Sequence, residues 1–130
     1  MPERVFHLVD PACWPRDGSP HAPDSLQTEG FLHASFPLQL AETLALHFDA
    51  EGEGAPAALL LLELDRPALA QDLRVEASRG GAGFPHLYRA LEESEVLRWW
   101  TLEARLGRWL LPVLELVADE DQPQGTLGAP

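Results

Sequence analysis

The chain has 130 residues, 45% apolar and 23% charged, which suffices for one domain with one core and excludes a second folded domain or wholesale disorder. Its formal net charge of -12 and pI near 4.6 repel polyanions, so broad nucleic-acid binding is not expected. Lysine is absent and all nine fixed positive charges are arginines, which excludes Schiff-base and P-loop-lysine chemistry and leaves the guanidinium fork for any anionic ligand.

The one notable apolar run, Ala57 to Leu62, is far short of the roughly 20 residues that cross a bilayer. The N-terminus carries no signal-like apolar stretch, so a cytoplasmic protein without membrane contact is expected. Cys13, the single cysteine, allows no intrachain disulfide, and beside Trp14 and Pro15 it is expected to pack.

Arg4 to Asp10 reads as a first strand ended by Pro11. Pro15 to Thr28 turns to Pro, Gly, Ser and Asp and reads as a loop, long enough to be functional or mobile. Gly30 to Ser35 reads as a second short strand. Ser35 can cap a helix over about residues 37–48, whose first turn tolerates Pro37 and in which Leu38, Ala41, Leu44, Ala45 and Phe48 recur at helical spacing. After an acidic turn, Ala57 to Asp65 is nearly continuously apolar and reads as a central strand buried on both faces.

A helical turn from Pro67 to Asp72 leads into Leu73 to Ala77, where alternation places Arg74 and Glu76 on one face. Ser78 to Gly83 holds three glycines and either turns tightly or lets the backbone approach a ligand. Phe84 to Tyr88 is too short to assign by period. Val96 to Leu102 favours a strand, Glu103 to Leu111 is compatible with a continuing helix, and Val113 to Val117 reads as a last strand. These elements predict a single α+β domain over residues 1–118 with a mixed or mostly antiparallel sheet, followed by a loose polar tail over residues 119–130.

No pair of the five histidines stands at HxH or HxxxH spacing, so no metal is expected, with zinc on His33, His86 and a carboxylate left open. His21 lies in the polar loop, and His47 at a helix end can offset the dipole. His33 ends a short strand that leads into a helix, where sheets of this kind place ligand contacts, although a core histidine would look the same. His86 and Tyr88 could converge on an opening beyond the glycines or form a packed aromatic corner. Glu76 is a general-base candidate if its face lines a cleft, and otherwise solvated surface. Arg79 before Gly80 and Gly81 is the most plausible phosphate contact, in a sequence that is no P-loop.

Taken together, Arg4-Val5-Phe6-His7-Leu8-Val9, Gly30-Phe31-Leu32-His33-Ala34-Ser35, His47-Phe48, and Glu76-Ala77-Ser78-Arg79-Gly80-Gly81 with Phe84-Pro85-His86-Leu87-Tyr88 resemble a small bacterial family, the domain-of-unknown-function family nine-five-two. The resemblance runs from Arg4 to Leu91. It departs at His7, where the family usually carries Lys, and in the Trp-rich stretch from Trp99 to Pro112. The family is similar in fold to the ADP-ribosyltransferase group, which holds NAD in a cleft between two small sheets.

That resemblance implies a nucleotide-binding enzyme of NAD type, in which His33 fixes a ribose, Arg79 meets the pyrophosphate, and Tyr88 or His86 stacks on the base. Glu76 would polarise a ribose hydroxyl, which makes His33, Glu76 and His86 the expected catalytic set. The alternative is a non-catalytic module that binds a small ligand or a protein, with Trp99, Trp100 and Trp109 offering area for a homodimer. In a third reading His33 and His86 only order the core.

Overall fold

Six consecutive buried residues, Leu59–Leu64, form the middle strand of the larger sheet. The computed structural model describes residues 4–77 and 81–112. In chain order the elements are β1 Phe6–Val9, α1 Ser25–Thr28, β2 Leu32–His33, α2 Leu40–His47, β3 Leu59–Leu64, α3 Arg66–Leu69, β4 Leu73–Ala77, β5 Gly83–Leu87, β6 Val96–Leu102, β7 Ala104–Arg105 and β8 Arg108–Trp109. Two three-stranded sheets, β1-β3-β6 and β2-β5-β4, and the β7-β8 hairpin are antiparallel throughout. The molecule is one small α+β domain, with two sheets where the sequence suggested one.

The alternation of β3 decides what lies on each side of the larger sheet. Leu60, Leu62 and Leu64 face a core with Val5, Val9 and Trp14 that is closed by Leu32 and Leu87 of the smaller sheet. Leu59 and Leu61 face Phe6, Leu8 and Trp100, covered by Leu40 and Leu44 of α2. Each buried leucine contributes roughly 2 kcal/mol. Glu63, only 4% exposed, interrupts the run. It is tolerated because Arg4 reaches both carboxylate oxygens at 3.0 and 2.9 Å and Arg98 Nε stands 2.8 Å from Oε1.

The split into two sheets follows from residues 32–35. Leu32 and His33 pair with Leu87 and His86, Ala34 N–H donates to Pro85 O at 3.1 Å, and Ser35 exchanges two backbone bonds of 2.8 Å with Phe6. One extended segment thus lies in both ladders. Engaged there, Ser35 does not cap the helix, and its hydroxyl lies 3.2 Å from Thr43 Oγ1. The chain makes a 3-10 turn over Pro37–Gln39, entered through a 2.9 Å bond from Phe36 N–H to the Gln39 side chain, before α2 begins.

Other expectations need correction. Residues 103–111 form a hairpin, because Leu106 at φ 53° and Gly107 at φ 75° both adopt the left-handed conformation of a tight two-residue turn. The presumed loop ends in α1, and His21 within it is buried, exchanging backbone bonds of 2.8 and 2.9 Å with Leu91. Cys13 is exposed, and Trp14 packs in its stead. Trp100 is buried, Trp99 and Trp109 pack against the two cores, and Trp109 Nε1–H donates to Phe48 O at 3.0 Å. Arg79, Val113 to Val117 and the tail lie outside the described residues. Among the described residues no helix is long and apolar enough to cross a membrane.

Candidate functional site

Antiparallel register sets the site. His33 pairs with His86 and His86 with Arg74, so the three side chains form a row across β2, β5 and β4. Their neighbours Leu32, Leu87 and Leu73 turn into the core. With a period of two, Phe31, Tyr88 and Glu76 share the face of that row. The register therefore brings His33, Glu76, His86 and Tyr88 together on one face of the smaller sheet.

Glu76 organises this face. Its Oε1 accepts a 2.8 Å bond from His86 Nδ1–H and a bond from the Tyr88 hydroxyl. These donors, Tyr88 first, hold the Glu76 carboxyl below the usual carboxylate range, and the carboxylate in turn raises the Tyr88 phenol. The Arg74 guanidinium stands 5.2 Å from the Tyr88 ring centroid. His86 is buried beneath Phe31, whose ring stacks on it at 3.9 Å and 19°. With Nδ1 donating, its Nε2 is an acceptor in the neutral ring, and that atom has no hydrogen-bond partner among the described residues.

His33 is half-exposed and stands edge-on to His86, with centroids 5.6 Å apart. Its Nε2 lies 2.9 Å from Glu29 Oε2, four residues earlier in sequence. Beside it opens a pocket of about 470 Å³ between β1, α2 and the smaller sheet, within the size range of small-ligand sites. Glu29, His33, Ser35, Thr43 and His47 provide its polar wall, and Leu8, Phe48 and Phe84 its apolar one. Of the residues expected at a ligand, His33 borders this pocket, while Glu76, His86 and Tyr88 stand on the adjoining sheet face. Among the described residues no group of three or more His, Cys, Asp or Glu could hold a metal, so the zinc arrangement with His33, His86 and a carboxylate is not found there.

Two further histidines lie beneath the site. His7 donates Nδ1–H to His33 O at 2.7 Å, and its Nε2 is 3.2 Å from His21 Nε2. Burial, aided by the neighbouring His21, pulls His7 down to about 3, and burial also lowers His21. His21 in turn bonds to the main chain of Cys13, so each ring of the pair is tied to a backbone group on its far side. Sequence reasoning passed over Glu29, Phe31, Thr43 and this pair. The i,i+4 spacing of Glu29 and His33 was the one signal available, since the other contacts depend on strand register.

The fold and site define a small α+β protein whose polar pocket opens at the junction of two antiparallel sheets. Residues 10–99 match the family described as "Protein of unknown function (DUF952)", and the chain belongs to that family. The crystal structure of protein CC0527 from Caulobacter crescentus is similar, with 34% sequence identity, a TM-score of 0.72, and coverage of 83% of this chain and 94% of that one. A double mutant of the same protein gives 33% identity over 83% and 94% of the two chains with a TM-score of 0.72. Its solution NMR structure gives 34% over 82% and 90% with a TM-score of 0.66. No curated protein matches the chain significantly.

Proposed function

We propose that the protein is an enzyme related to ADP-ribosyl transfer that binds an NAD-type nucleotide beside His33. The observation that carries this reading is the position of His33, an exposed imidazole bordering a 470 Å³ pocket between two small sheets. It stands directly across the ladder from His86, which Glu76 anchors. In this reading His33 and the Ser35 and Thr43 hydroxyls meet ribose, and Arg79 meets the pyrophosphate. Tyr88 stacks on the base, His86 being already covered by the Phe31 ring, and Glu76 polarises a ribose hydroxyl. Such transfer needs stabilisation of an oxocarbenium-like state more than a strong nucleophile, so a carboxylate and stacked rings serve it.

One observation favours a second reading, a non-catalytic binding module. Glu76 is already held by His86 and Tyr88 and does not border the pocket, so a ligand could bind there without reaching a catalytic carboxylate. Titration of the wild type and His33→Ala with NAD, ADP-ribose and inorganic phosphate, followed by NMR and thermal shift, tests both readings. Saturable NAD binding that the variant loses, with release of nicotinamide on incubation, supports the enzyme. Binding without nicotinamide release supports the module, and no binding of NAD at millimolar concentration removes the nucleotide.

A further inference from the structure

The pocket beside His33 has an electrostatic character that the nucleotide reading does not use. Among the described residues no arginine borders it, and the chain has no lysine. The one carboxylate in its lining is that of Glu29. The His33 Nε2 stands 2.9 Å from that carboxylate and orients it at the pocket wall. Phe48 and Phe84 also line the pocket, as do the Ser35 and Thr43 hydroxyls, which lie 3.2 Å apart. A carboxylate, aromatic side chains and hydroxyls around one cavity are the groups that attract an organic cation bearing a hydroxyl. The net charge of -12 favours the approach of cations over anions.

We infer that this pocket is a site for a small organic cation, an amine or quaternary ammonium group carrying a hydroxyl, with Glu29 facing the charge and Phe48 and Phe84 walling it. The inference goes beyond the nucleotide reading and holds whether or not the protein binds NAD. Both Glu29 and His33 are about half-exposed, so the preference for the cation is of moderate size. About tenfold over a neutral ligand of the same shape is expected from a partly solvated ion contact with an aromatic wall.

Choline and its uncharged carbon isostere 3,3-dimethylbutan-1-ol test this, since they differ in charge and share shape and hydroxyl. The full chain is titrated with each by NMR at pH 8. The expected result is choline binding about tenfold tighter, with shifts at Ser35 and Thr43. In Glu29→Gln the preference should fall to within about twofold while affinity for the alcohol is unchanged, and an exposed residue makes this variant safe for folding. Phe48→Leu, a second variant, should weaken choline more than the alcohol. Equal affinity for the two ligands, a preference that survives in Glu29→Gln, or no choline binding overturns the inference. Failure to bind NAD with the choline preference intact would overturn the nucleotide reading alone.

Discussion

His7 and His33 are joined by a 2.7 Å bond from the His7 ring to the main-chain oxygen of His33, so a buried imidazole in β1 fixes the backbone on which the candidate site depends. Burial holds His7 at about 3, well below its ordinary 6.5. Above pH 6.5 it is neutral in both folded and unfolded chains, and its packing contributes fully. Between 6.5 and 3 the unfolded chain takes up a proton that the folded one excludes, and stability falls by about 1.4 kcal/mol per pH unit for such a group. Urea midpoints measured from pH 7 to pH 4 should therefore fall less steeply in His7→Gln than in the wild type. An unchanged slope would assign the acid sensitivity elsewhere.

Tyr88 is the only tyrosine in the chain, so phenolate absorbance reports on the site without interference. Its phenol is raised above the usual 10 by its bond to Glu76. Glu76→Ala removes that acceptor, and the titration midpoint should drop back toward 10. A midpoint that does not move would mean that Glu76 does not hold the hydroxyl in solution.

His33 and His86 differ in what they cost to remove. His33 is half-exposed and its pairing with Glu29 is solvated, so His33→Ala should lose under about 1 kcal/mol. His86 is buried in a stack with Phe31, and His86→Ala should lose about 2–3 kcal/mol. Denaturant unfolding of both variants checks this. Comparable large losses would mean that the two histidines jointly order the core.

The strands could be read in the sequence wherever the pattern was local. The Leu run of β3 and the alternation of Leu73 to Ala77 gave element type and facing. The functional face was legible as residue types, His33, Glu76, His86 and Tyr88, because their segments carried the family resemblance. Their contacts were not, since the His33–His86 and Arg74–His86 pairings are set by register between segments about 50 and 12 residues apart. Ser35 misled because capping propensity is local and its ladder bonds to Phe6 are not. Glu63 drew no reading at all, since a carboxylate in an apolar run gives no sign of Arg4 and Arg98 converging on it.

That triad makes an asymmetric prediction. The carboxylate of Glu63 is 5% exposed, whereas Arg4 and Arg98 are 26% and 36% exposed and can turn to water. Removing both arginines strands a buried charge and should cost about 3 kcal/mol or more. Glu63→Leu leaves only arginines that can rehydrate and should cost about 1 kcal/mol. Thermal unfolding of the two variants should show the double arginine variant as the less stable.

The β7-β8 turn invites an improvement. Leu106 is 95% exposed and sits at φ 53°, a conformation asparagine tolerates far better. Leu106→Asn should raise stability by about 0.5–1 kcal/mol. Gly107→Ala should lower it, because at φ 75° a side chain is strained and its Cβ would stand 3.0 Å from Glu51 Oε1. Melting temperatures that move the other way would refute the turn geometry.

The segment shared by both ladders also determines how the pocket can change width. Leu8 belongs to one sheet and Phe84 to the other, and both line the pocket, while residues 32–35 are strung through both sheets. The sheets cannot translate apart without tearing backbone bonds at Ser35 or Ala34. Sliding of one sheet along the other is resisted there, as a spine holds two pages, and the core shared by Leu32, Leu87 and Leu62 binds them further. His33 lies on that spine, its main chain tied to β5 by the ladder and to β1 through the His7 ring, so the side chain at the pocket rim starts from a backbone held on both sides.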